Sequence, residues 1–136
     1  MVGRSVPALS PVFLFIGEDR LSKEKALKDI VSRIPGDPAK GLDYKVFSSA
    51  DADPAEVLDY ISTRPFLAEK RVAVIKEADK IASEFRAALI RYIVNPSKST
   101  CLVLDASDAS ILAQYDKVAG NIDIRKFGNM TWRELV

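Results

Sequence analysis

Gly17 and Lys23 share the stretch GEDRLSKE, which follows directly on the apolar run VFLFI. A phosphate-binding loop of the form G-x-x-x-x-G-K-[ST] uses a glycine and a lysine at this spacing, with a second glycine and a metal-binding hydroxyl. Its glycines let backbone N–H groups wrap the phosphates, and its lysine neutralises them. In register from Gly17, Ser22 takes the place of the second glycine and Glu24 replaces the hydroxyl. Ser22 restricts the left-handed backbone that such a loop needs. Glu18, Asp19 and Glu24 put three carboxylates where an anion would sit, and a carboxylate at a helix N-terminus already complements the helix dipole. Ordinary helix capping, with Ser22 as the cap, accounts for the turn. It reads as a strand-to-helix turn that has lost, or never had, nucleotide binding.

A second stretch, RVAVIKEADKI (residues 71–81), has the layout of an apolar strand ending in a magnesium-binding Asp and a water-activating Glu. Lys76 occupies the Asp position, and a lysine there repels the ion. Glu77 stays in register as a base but has neither metal nor phosphate to work on. With two defects in one potential ATPase site, no enzymatic activity and no cofactor are expected of this segment.

Composition narrows the choice further. Lys plus Arg total 20 against 19 Asp plus Glu, so no electrostatic footprint marks DNA or RNA as the main partner. With no histidine and one cysteine, Cys101, the chain lacks the makings of a zinc site, a His-activated nucleophile or a disulfide framework. Cys101 reads as a buried strand residue. The longest apolar run, Val12–Ile16, is too short to span a membrane and lacks a signal peptide's flanks, so a cytoplasmic protein is expected.

The elements that must position these residues follow from periodicity. Strands are expected at Val12–Ile16, Asp43–Ser49, Arg71–Ile75, Thr100–Asp105 and Asn121–Phe127, the last at a sheet edge. Helical stripes run through Leu27, Ile30, Val31 and Ile34, and through Val57, Leu58 and Ile61 after an Asp53 cap with Pro54 at the first position, the second helix ending at Pro65. A third joins Ile81, Phe85, Ala88, Leu89 and Tyr92, ended by Asn95-Pro96. A fourth joins Ile111, Leu112, Tyr115 and Ala119, with Gly120 placed to end it. Strands alternating with helices make an α/β domain with a mostly parallel five-stranded sheet. Residues 1–10 read as a loose lead-in, 11–128 as the domain, and 129–136 as the start of a linker or helix capped by Thr131, with Trp132 packing toward a further helical domain.

The run VAVIKEADKI…ALIRYIVNPSKSTCLVLD resembles the clamp-loader branch of the AAA+ family, in which a Walker B strand leads into an "EAD" helix, a helical stretch, a proline turn and a sensor strand. Glu77-Ala78-Asp79, Ala88-Leu89-Ile90, Asn95-Pro96 and Thr100–Leu104 match in order. Within that branch, VFLFIGEDRLSKEKALKDI and STRPFLAEKRVAVI are similar to the N-terminal domain of the delta subunits of bacterial DNA polymerase III. The resemblance covers about residues 11–128. It implies a three-layer, P-loop-like domain with degenerate Walker positions at Gly17, Ser22, Lys23, Glu24, Lys76 and Glu77. It also implies a bacterial, nucleoid-associated protein that binds and helps open the sliding clamp without hydrolysing ATP. Its other partners would be clamp-loader subunits met through later domains; it would touch DNA only indirectly and no membrane.

In that family two adjacent apolar side chains at a helix tip wedge into the clamp. Carried over, they are Phe66 and Leu67 beside Pro65, with Arg64, Lys70 and Arg71 as a polar rim. The competing reading closes the core with Phe66 or Leu67 and leaves the three cations as solvated surface. Rival functions for such a domain are a working P-loop ATPase, a phospho-acceptor receiver domain, and a generic α/β interaction module. The receiver lacks an acceptor Asp, because Ile75-Lys76 stands at that position.

Overall fold

Val12–Gly17 (β1) is buried at every residue, as a strand covered on both faces must be. The structure is a computed structural model and describes residues 9–128. After β1 come α1 (Arg20–Ser32), β2 (Tyr44–Ser48), α2 (Pro54–Ser62), β3 (Arg71–Lys76), α3 (Ser83–Val94), β4 (Thr100–Ala106), α4 (Ile111–Gln114) and β5 (Asp123–Phe127). Short 3₁₀ turns lie at Pro38–Lys40, Ala78–Lys80 and Asp116–Asn121. The strands pair in the order β2-β3-β4-β1-β5, and every pairing is parallel. The expected sheet is present, parallel throughout, with β5 at an edge.

Alternate side chains of β1 feed two cores. Val12, Leu14 and Ile16 join Ala73, Ile75, Leu102 and Leu104 beneath Val57 and Ile61 of α2 and Phe85, Leu89 and Ile93 of α3. Phe13 and Phe15 join Val72, Val74 and Val103 on the other face, beneath Ile30 and Val31 of α1. One helix therefore covers one face and the remaining helices the other, a three-layer arrangement. Cys101 is fully buried in the α1 face, and burial pushes its thiol up to about 11, so it stays protonated and inert at neutral pH.

Three boundaries differ from the sequence reading. Asp19, not Ser22, caps α1, accepting the Ser22 N–H at 3.1 Å and the Ser22 hydroxyl at 2.7 Å. The helix α2 stops at Ser62, ahead of Pro65, where the Thr63 hydroxyl donates to the Asp59 carbonyl and ends the ladder. The fourth helix is only a four-residue turn, because the Tyr115 backbone leaves the helical region and the chain continues as 3₁₀. Asn121 then donates to the Ile93 carbonyl, tying this segment to the end of α3. Residues 1–8 of the expected lead-in, and the helix start expected at Thr131 and Trp132, lie outside the described residues.

Gly17 has a packing role independent of any phosphate. Its φ is +129°, and a Cβ there would lie 1.7 Å from the Phe127 carbonyl oxygen on β5. Gly17→Ala is expected to destabilise the fold by about 3 kcal/mol or more, read as a lowered urea midpoint, since both the backbone and the neighbouring strand resist it.

Candidate functional site

Five of the six degenerate Walker residues come together; Ser22 does not line the cleft. Gly17, Glu18, Arg20, Lys23, Glu24, Lys76, Glu77, Asp105 and Ser107 line a cleft of about 570 Å³ at the C-terminal ends of β1, β3 and β4. That is where ligands bind in open parallel sheets. Two features turn this cleft inward. Only Glu18 and Asp19 separate β1 from α1, so the helix starts before any loop can wrap around an anion. The Ser22 amide is already held by the Asp19 carboxylate.

The second feature is an ion triad in which Lys23 and Asp105 are largely buried and Lys76 is partly exposed. Lys23 Nζ reaches back to Asp105 Oδ1 at 2.6 Å and to the Ala106 carbonyl at 3.0 Å, and it is nearly buried. Lys76, beside Asp105 in the β3–β4 register, donates to Asp105 Oδ2 at 3.0 Å. Each carboxylate oxygen thus holds one ammonium group. The sequence reading missed Asp105 as a site residue and assigned the self-neutralisation to Glu18, Asp19 and Glu24. The carboxylate that does it comes from the neighbouring strand, and strand order is invisible without the fold. Glu77 sits at φ +54°, a left-handed conformation unusual for a non-glycine residue, and pairs with Lys80 at 3.0 Å.

At the opposite end of β3, roughly 17 Å away along five strand rises, lies the connector between α2 and β3. Here Phe66 and Leu67 are 66% and 77% exposed. They are the one chain-adjacent pair among the large apolar side chains exposed in the described residues. Neither closes the core, and they sit in an irregular loop rather than on a helix tip. Pro65 is half-buried and Arg64 exposed; Lys70 is half-buried and donates to the Lys98 carbonyl at 2.6 Å.

Arg71 departs from the expected rim. It is 8% exposed, with its guanidinium 4.2 Å from the Tyr60 ring centroid, donating to the Tyr60 carbonyl at 3.2 Å and facing Asp43 at 3.4 Å. As the first residue of β3 it points inward beneath the connector, which removes it from the surface.

Asp43 is the second residue the sequence reading missed. It precedes β2 and is 3% exposed. Its carboxylate accepts the N–H groups of Phe66, Leu67 and Ala68 at 2.5–2.7 Å. Burial alone would raise its pKa, but the three N–H bonds and Arg71 outweigh it and hold the carboxyl below the usual 3.8. The sequence reading counted Asp43 as the first residue of the second strand, and nothing local marked its carboxylate as buried.

The family model for DNA polymerase III, delta subunit, matches residues 13–113. The chain belongs to this family. Among solved structures, the delta-family chain is similar to the Bacillus subtilis DNA clamp loader delta protein (YqeN), with TM-score 0.74 and 17% identity over 91% of this chain and 40% of that one. It is also similar to a DNA polymerase III gamma subunit-related protein of Thermotoga maritima, with TM-score 0.62 and 13% identity over 90% and 42%. At these identities the likeness establishes the fold alone, a five-stranded parallel sheet flanked by helices. The chain spans about 40% of the length of these solved structures. No curated protein matches it. Among the described residues, no helix is long and apolar enough to cross a membrane.

Two measurements test the electrostatics. Asp105→Ala leaves two ammonium groups without their carboxylate, one of them nearly buried, and is expected to cost about 3 kcal/mol in chemical denaturation. Lys23→Met leaves Asp105 still paired with Lys76 and should cost clearly less. For Asp43, a folded-state pKa below the unfolded one means stability present above about pH 4 and lost as pH falls below it. The melting-temperature gap between wild type and Asp43→Asn should therefore narrow between pH 6 and pH 3.

Proposed function

We propose that this delta-family chain binds the sliding clamp of DNA replication through Phe66 and Leu67 and helps to open it, while other subunits hydrolyse ATP. The observation that carries the reading is the exposure of two adjacent large apolar side chains on a tethered loop. Such a pair is a candidate hot spot, and burying each contributes roughly 1.5–3 kcal/mol. Pro65 borders the pair, and Arg64 and Lys70 supply a rim that orients the partner more than it adds affinity.

Within this reading the Walker-like cleft is scaffold. Its lining carries three cations against four carboxylates, with Lys23 and Lys76 already engaged by Asp105, so a nucleoside triphosphate meets more negative charge than positive. The domain would relay movements driven by ATP-binding subunits, which it would join through domains beyond this stretch. Contact with DNA would be indirect, and the site of action the bacterial cytoplasm.

Phe66→Ala with Leu67→Ala is expected to weaken binding to the cognate clamp more than tenfold with an unchanged circular dichroism spectrum. A folded double mutant with wild-type affinity removes both residues from the site. A nucleotide site with magnesium, tested at 100 times its Kd, would stabilise the fold by about 2.7 kcal/mol. No thermal shift is expected, and a shift of that size would favour the ATPase reading.

A further inference from the structure

We propose that Asp43 is the positioning residue of the Phe66–Leu67 pair, holding the loop in its binding-ready shape before any partner arrives; this rests on the clamp-binding reading above. The loop has no ladder of its own, and two exposed apolar side chains would otherwise favour collapse onto nearby surface. Three successive N–H groups converge instead on one carboxylate, which fixes the backbone of Phe66, Leu67 and Ala68 together.

Independent contacts hold the far side. The Glu69 N–H donates to the Pro35 carbonyl at 2.9 Å, and Ala68 is buried. Gly36, at φ +92°, lets that segment approach: a Cβ there would lie 2.6 Å from Ala68 Cα. With its backbone tethered from both sides, the loop turns its two apolar side chains outward. The ordering cost then falls on folding rather than on binding. If the loop visits its competent shape only a fraction of the time, the apparent affinity drops by that fraction. Asp43 is buried and does not meet the partner itself. An asparagine fills the same space, but its NH₂ would face an N–H in place of one accepting oxygen.

The test combines amide hydrogen exchange with a double-mutant cycle in the full chain. In the wild type, the amides of Phe66, Leu67 and Ala68 are expected to exchange at least tenfold more slowly than unprotected loop amides. Asp43→Asn should remove that protection and weaken clamp binding at least fivefold. The loss should vanish when Phe66→Ala and Leu67→Ala are already present. A folded Asp43→Asn protein with wild-type affinity, beside a double mutant that has lost binding, overturns the proposal. Should Asp43→Asn fail to fold, the wild-type exchange rates decide, and unprotected amides at 66–68 overturn it. If the double mutant binds like wild type, the clamp reading fails, and exchange at these amides alone shows whether Asp43 holds the loop.

Discussion

A carboxylate taken out of water has to recover its lost hydration from the protein, and at Asp43 nearly all of it comes from one short loop. That requirement organises the lower end of the molecule. The loop folds back over the start of β2, Arg71 turns inward to share the negative charge, and its guanidinium stacks on Tyr60 at the end of α2. Phe66 and Leu67 are left facing solvent because their backbone, not their side chains, satisfies the buried group. An exposed apolar pair that would be a liability on a free loop becomes a fixed surface feature.

The upper end of the sheet obeys the same electrostatic rule with the signs reversed. Lys23 and Lys76 reach the strand ends where an open parallel sheet receives ligands, and Asp105 meets both. Two of the cations that line the cleft are thereby neutralised from within the protein. The β1–α1 turn there is only two residues long, and β5 packs closely against Gly17. The two ends share β3, whose first residue belongs to the Asp43 cluster and whose last belongs to the Asp105 cluster. One fully parallel sheet thus carries the exposed apolar pair at one end and the charge-paired cleft at the other.

Much of the fold was legible because its signals are local. Five strand segments, the Asp53-Pro54 start and the Asn95-Pro96 stop are each decided within a few residues, and they lie close to where expected. Helix ends were less legible, since Asp19 and Ser22 are equally plausible caps until the chain direction leaving β1 is known. The fourth helix misled because Ile111 and Tyr115 keep helical spacing in burial while the backbone between Tyr115 and Asn121 is 3₁₀.

From the order of residues alone came the α/β class, the departures from both Walker patterns, the delta-family likeness and, through that likeness, the choice of Phe66 and Leu67. Exposure of that pair, the inward turn of Arg71, and the pairing of Asp43 with residues 66–68 and of Asp105 with Lys23 and Lys76 came only with the tertiary structure. The reason is one of range. Propensity and periodicity act between neighbours, whereas Asp43 and Lys23 meet partners 25 and 82 positions away. A charge buried at such a distance is placed by strand order, and strand order is a property of the whole sheet.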